Sequence, residues 1–317
     1  MRLASLTIPA LAGLALVSIF TGAATLDVSR LFSDPQALWL IAVSRLPRTA
    51  AALIAGASLA VAGVIMQMLA RNRFVEPATA GTAQSAGLGL VLVTLLAPGA
   101  ALWAKMGVAT LTSLVGTGLF LALVRRLPPS QPLLVPLTGI VFGGIVGAAE
   151  TFLAYESDLL QYIGVWMSGE FSGVMLGRYE YLWIAGLLAA AAYLYADRFT
   201  IAGMGEDVSR ALGLNYGQAM ALGLAIVSVI TAVTVVTVGM IPFVGLVVPN
   251  IVARIMGENL RASLPVVAAT GAGLVLACDI GGRLIIHPYE IPVGTILGIL
   301  GAVIFLWLLY ARPAHAR

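Results

Sequence analysis

The sequence predicts an all-α, polytopic membrane protein of about ten transmembrane helices, and three observations predict it. Hydrophobic residues fill 60% of the 317 positions, charged residues only 10%, and the mean hydropathy is +1.02. An ordinary globular domain is roughly a quarter charged, so a chain this poor in charge cannot cover itself against water. Apolar stretches of about 20 residues, the length that crosses a bilayer, recur along the whole chain. Between them the loops are short, so residues 1–317 read as a single transmembrane domain. The third observation is an uneven distribution of arginine between alternate loops.

Charge and Pro/Gly clusters bound the spans. In order they are Leu3–Gly22, Pro47–Leu69, Thr79–Leu96, Ala104–Val124, Leu133–Tyr155, Tyr179–Tyr195, Gly217–Met240, Phe243–Ile255, Leu264–Gly281 and Val293–Leu309. The first has the Arg2 and small-residue flanks of a signal peptide. Its apolar core is longer than the usual one and its removal would leave an odd helix count, which favours a retained helix. The eighth span is short, so it either tilts or merges with the seventh across Ile241-Pro242.

Orientation follows from the loops. With the N-terminus inside, the inner ends carry Arg2, Arg71, Arg73, Arg125, Arg126, Arg198, Arg210, Arg254, Arg261, Arg312 and Arg317. The outer side carries Arg30, Arg45, Arg48, Lys105, Arg178 and Arg283, with the acids Asp27, Asp34, Glu156, Asp158, Glu170, Glu180 and Glu290. The positive-inside rule therefore predicts both termini on the cytoplasmic side. Arginines scattered through short loops set topology; they do not form the basic stripe of a nucleic-acid binder.

Missing chemistry narrows the function. A nucleotide-hydrolysing P-loop ends in Gly-Lys-Ser/Thr, whereas the only lysine, Lys105, stands between Ala104 and Met106. No Ser/His/Asp set or His-Glu-x-x-His is visible, and Cys278, His287 and His315 are too few and too far apart for a metal cage. The chain reads as a non-enzyme that binds no cofactor of its own.

Intramembrane acids are default functional candidates, and two lie well inside spans, Glu150 and Asp279. Asp279 precedes Arg283 by four residues, so it either pairs with that arginine on one helix face or serves a pathway. Glu150 either lines a pathway or meets outer water. Small residues at Gly143 and Gly147, and at Gly294, Gly298 and Gly301, let helices approach closely, within the chain or at a subunit interface around a central pathway. Two loops carry helical patterns. An outer amphipathic stretch, about 157–168, contains Trp166 and suits an interfacial helix. An inner stretch, about 203–215, has Glu206 and Asp207 early, Arg210 late and Gly213 as its stop. Its apolar Val208, Ala211 and Leu212 either dock a cytoplasmic partner or belong to a plain loop helix.

Several ordered motifs then resemble one family. They are Arg45-Leu-Pro-Arg48, Gly63-x-x-Met-Gln67-x-x-x-Arg71-Asn72, Glu76-Pro77-x-x-x-Gly81, Gly239-x-Ile-Pro-Phe-Val-Gly-Leu-Val-Val-Pro249 and Glu290-Ile-Pro-Val-Gly294 before a last helix containing Phe305-Leu-Trp-Leu. From about Arg45 to the C-terminus the chain resembles the iron-siderophore, haem and vitamin B12 permeases of ABC importers. Asn250 after Val-Val-Pro, Cys278-Asp-Ile-Gly-Gly-Arg283 and His287-Pro-Tyr-Glu-Ile-Pro292 resemble the subgroup for ferric catecholate siderophores of the anguibactin, petrobactin and enterobactin kind.

The resemblance implies a type II ABC importer permease fold in the cytoplasmic (inner) membrane. It implies a second permease subunit, identical or not, around a central pathway. It also implies two cytoplasmic ATPase subunits that use the ATP, and a periplasmic or lipid-anchored binding protein. It makes the 203–215 stretch the coupling helix, with Gly205, Val208, Ala211, Leu212, Gly213 and Leu214 at the ATPase. It gives Arg45, Arg48 and Arg283 to binding-protein docking, against the alternative that Arg45 and Arg48 anchor a helix end. Haem or vitamin B12 transport is the near alternative, and an ion-coupled secondary carrier the distant one, disfavoured by so few buried ionisable groups.

Overall fold

In a computed structural model of the chain, residues 2–22, 35–128, 131, 133–257 and 259–310 are described, with side chains from Thr7 onward. The side chain of Arg2, and Asp27, Arg30, Asp34, Arg312, His315 and Arg317, lie outside the described residues. The described chain is helical throughout, with no strand among the described residues. Its helices are α1 (Arg2–Phe20), α2 (Pro35–Leu40), α3 (Leu46–Leu69), α4 (Thr82–Leu96), α5 (Leu102–Val124), α6 (Leu134–Glu156) and α7 (Leu160–Met167). They continue as α8 (Leu182–Leu194), α9 (Ala196–Gly203), α10 (Glu206–Ala211), α11 (Tyr216–Val238), α12 (Val244–Met256), α13 (Leu260–Ile285) and α14 (Val293–Tyr310).

Each of the ten expected spans falls on a helix. Six stretches are long and apolar enough to cross a membrane unaided, α8 with α9 forms a bent seventh, and α1, α4 and α12 are shorter apolar helices. Two stretches extend beyond expectation. The second span starts at Pro35, because α2 runs through a π-helical turn at Ile41–Arg45 into α3. The sixth does not stop at Tyr195: the chain bends by 71° there and continues as α9.

The core is built around α3, which packs on α8, α11, α12 and α13. Lipid supplies no hydrophobic force between helices, so close backbone approach must hold them. Gly56 of α3 lies directly on the Gly271 carbonyl of α13, and Gly63 of α3 on the backbone of Gly245 in α12. A side chain at either position would collide with main chain. A second group, α4, α5 and α6, packs on α11.

The short eighth span stays separate from the seventh. Gly239 (φ +83°) ends α11, and Phe243 (φ +68°) opens α12 in the left-handed region. The exposed N–H at that break is met from elsewhere: the buried Glu76 carboxylate accepts from Phe243 N at 2.7 Å. A helix starting deep in the protein needs such a partner, since its first N–H groups have none inside the helix.

Candidate functional site

Three clusters carry the polar chemistry. The first is the α9–α10 elbow. Gly205 (φ +109°) turns the chain into α10, and Gly213 (φ +77°) ends it. Leu214 N donates to Ser209 O at 2.9 Å and Gly213 N to Arg210 O at 3.0 Å, the paired bonds of a left-handed helix stop. The buried Ser209 hydroxyl lies 2.6 Å from Gly205 O and 3.0 Å from Ile201 O, tying α10 to α9. Glu206 and Arg210 pair at 2.6 Å along the exposed face. Val208 is 44% and Leu212 62% exposed, with Ala211 beside them. The helix is thus fixed at both ends and presents apolar side chains away from its own core.

The second is an ion network joining α1, α3, α13 and the loop before α14. Asp279 bridges Arg48 at 2.7 Å and Arg283 at 2.6 Å. Arg48 also bonds Glu290 at 2.8 Å. Arg283 donates to Ser18 O at 2.9 Å, Thr21 O at 2.7 Å and the Ser18 hydroxyl at 2.8 Å; Arg45 donates to Thr21 O. These arginines occupy the last carbonyls of α1, which have no acceptor role left inside the helix. The side chain of Asp279 is fully buried, that of Arg283 2% and that of Arg48 11% accessible.

Arg45, Arg48 and Arg283 turn inward and bind their own chain, because an unpaired guanidinium at this depth would be costly. The helical Asp279–Arg283 pair is present as expected. Arg45 bonds a carbonyl at the end of α1, whereas, among the described residues, Arg48 bonds only the side chains of Asp279 and Glu290.

The third cluster lies between α4 and α6. Gly139 sits on Thr79 O, Gly143 on Gly81 and the Gln84 side chain, and Gly147 on Gln84. Glu150 stands over Gly87, 5% exposed, and its Oε1 has no hydrogen-bond partner among the described residues. Gly294 is likewise covered, by Ser168 O and Met240 O, and donates its N–H to Gly169 O at 2.8 Å. Gly143, Gly147, Glu150 and Gly294 therefore meet neighbouring atoms of the same chain. Gly298 differs: no atom lies within 4 Å of where its side chain would be.

Residues 10–311 match the model of the FecCD transport family. The chain belongs to that family. It is 46% identical to the petrobactin import system permease protein YclN of Bacillus subtilis over 96% of both chains. The ferric-anguibactin transport system permease protein FatD of Vibrio anguillarum is 41% identical over 91% of this chain and 92% of its own. Among solved structures, a chain of an ABC transporter in an inward-facing conformation superposes with a TM-score of 0.83 at 25% identity, covering 98% of this chain and 99% of that one.

Some residues of this FecCD chain escaped the sequence reading. Met204, 54% exposed, extends the apolar face of the elbow to a 204, 208, 212 spacing. Gly205, expected at the partner surface, is instead buried, with the Arg71 guanidinium packed over it. The spacing of Met204 was visible, but nothing local signalled the link from Asp279 to Arg48, which are 231 positions apart.

Proposed function

We propose that this chain is the membrane-spanning permease subunit of an ATP-driven importer that carries a ferric siderophore across the cytoplasmic membrane. The observation that carries the proposal is the match to petrobactin and anguibactin permeases over nine-tenths or more of the chain. In this reading both termini are cytoplasmic. The energy comes from two ATPase subunits, since the chain has no phosphate-binding lysine loop of its own.

The α9–α10 elbow would be the coupling element. A short helix clamped by two left-handed glycines and a buried serine moves as a rigid lever, so a push on Met204, Val208 and Leu212 passes into α9 and the bend at Tyr195. Alternation between outward and inward states needs each nucleotide state of the ATPase to prefer one of them.

A second permease would cover the two least buried long spans, α6 and α14, whose apolar faces include Ile140, Ile145, Ile299 and Val303. The pathway then runs along these faces, past Gly298. At the outer end, a binding-protein carboxylate that reaches Arg48 must compete with Glu290, whose side chain is 27% accessible. Docking on the arginines thus proceeds by exchange of one acid for another, with Asp279 retained. The test is uptake by the reconstituted complex of labelled ferric catecholates against ferric hydroxamates, haem and vitamin B12. Preference for haem or vitamin B12 would overturn the substrate class.

A further inference from the structure

We infer that a groove between α1, α3, α8 and α13 is a binding site for one anionic phospholipid, with an acyl chain in the groove and the phosphate at Arg261. The groove holds about 710 Å³ and lies among membrane-spanning helices. Its walls are made of small and aliphatic residues, among them Ala15, Ile54, Ala57, Ala189 and Ala268; only Ser58 and Tyr193 bring side-chain oxygens. Alanines on all four helices, paired or tripled on α1, α8 and α13, leave a recess that their own side chains do not fill.

A flexible hydrocarbon chain follows an open apolar recess of this kind and restores the dispersion contacts that an unfilled recess forfeits.

Charge selects the headgroup. The groove reaches Tyr193 on α8 and Leu264 and Pro265 on α13, one turn from Arg261. The Arg261 guanidinium stands 5.9 Å from the centre of the Tyr193 ring and bonds Asp197 at 2.5 Å. Arg198, on the next turn, lies 5.1 Å over Tyr195. Among the described residues, Arg198 and Arg261 against Asp197 leave this end positive, at the opening turn of α13, whose dipole adds in the same sense. Basic residues between spans at the membrane surface are where anionic headgroups settle, and a tyrosine beside them suits the interface.

The experiment uses the full chain purified in neutral detergent, with dioleoylphosphatidylglycerol and dioleoylphosphatidylcholine as probes. Retained lipid is counted by native mass spectrometry and affinity read from titration. The wild type is expected to retain one phosphatidylglycerol and to bind it about fivefold tighter than phosphatidylcholine, the gain from one net cation near a membrane surface. Ala268→Phe, which fills the groove, should lose the retained lipid; Ala57→Leu, on another helix, repeats the test should the first variant fail to fold. Arg261→Gln should keep lipid binding and lose the preference. Equal binding of both lipids by the wild type overturns the headgroup assignment. Retention of lipid by a folded, filled variant overturns the site. Loss of self-association in that variant, with lipid unchanged, would assign the groove to a second copy instead.

Discussion

Replacing Asp279 by alanine removes the one carboxylate that both buried arginines share. Arg48 would keep Glu290 at 2.8 Å, and Arg283 would keep the Ser18 and Thr21 carbonyls at 2.9 and 2.7 Å. Both guanidinium groups stay almost wholly out of solvent, so neither can recover its lost partner from water. Removing one member of a buried pair costs about 3–5 kcal/mol. The remaining partners place this case near the lower end, about 3 kcal/mol, which is a ratio of folded to unfolded chain roughly two orders of magnitude smaller. The assay is denaturation in mixed micelles followed by helical circular dichroism, in a cycle with Arg283→Met. The coupling between the two positions should be about 1.5 kcal/mol or more. A loss below about 1 kcal/mol for Asp279→Ala, or additive effects in the cycle, would refute the reasoning that the network holds the ends of α1, α3 and α13 together.

Further outcomes follow from other residues. Leu212→Asp places a charge on the exposed face of α10 and should abolish copurification of the ATPase while leaving the permease inserted; ATPase recovered in normal yield would reject the coupling role. Glu290→Gln should tighten binding-protein docking, since it removes the internal competitor for Arg48, and unchanged affinity in a salt titration would count against acid exchange. Glu76→Ala orphans the Phe243 N–H at the start of α12 and should cost about 1–3 kcal/mol in the same denaturation assay. Gly63→Val forces a side chain into the Gly245 backbone and should sharply lower folded yield; wild-type yield would show that α3 and α12 are not locked there.

How much of this was legible depended on whether the cause was local. Hydropathy marked all ten spans, because each needs only its own apolar run. The Asp279–Arg283 pair was legible for the same reason, being four residues apart on one helix. The stop at Gly213 was readable as a glycine, and α7 and α10 as short helices. What hydropathy could not mark was a polar stretch made helical by tertiary contact. Thus α9, with Asp197 and Arg198, read as loop, and α2 with its π-helical turn read as outside the second span. Nor could it show direction. Arg45, Arg48 and Arg283 sit at helix ends where an outward guanidinium is the natural expectation; carbonyls at the end of α1 and, for Arg48, the Asp279 carboxylate, all distant in sequence, turn them inward. The glycines of α6 were recognisable as a close-approach face, but the partner, α4 through Gly81, Gln84 and Gly87, was set only by packing.

In the proposed cycle, transport energy enters this membrane-embedded subunit from outside, through the α9–α10 elbow. Uptake of a labelled ferric catecholate into proteoliposomes containing the permease, its binding protein and the ATPase subunits tests this. ATP-dependent accumulation is expected, eliminated by Leu212→Asp and replaceable by no proton or sodium gradient. Gradient-driven uptake by the permease alone, or full ATP-driven uptake by the Leu212→Asp variant, would contradict it.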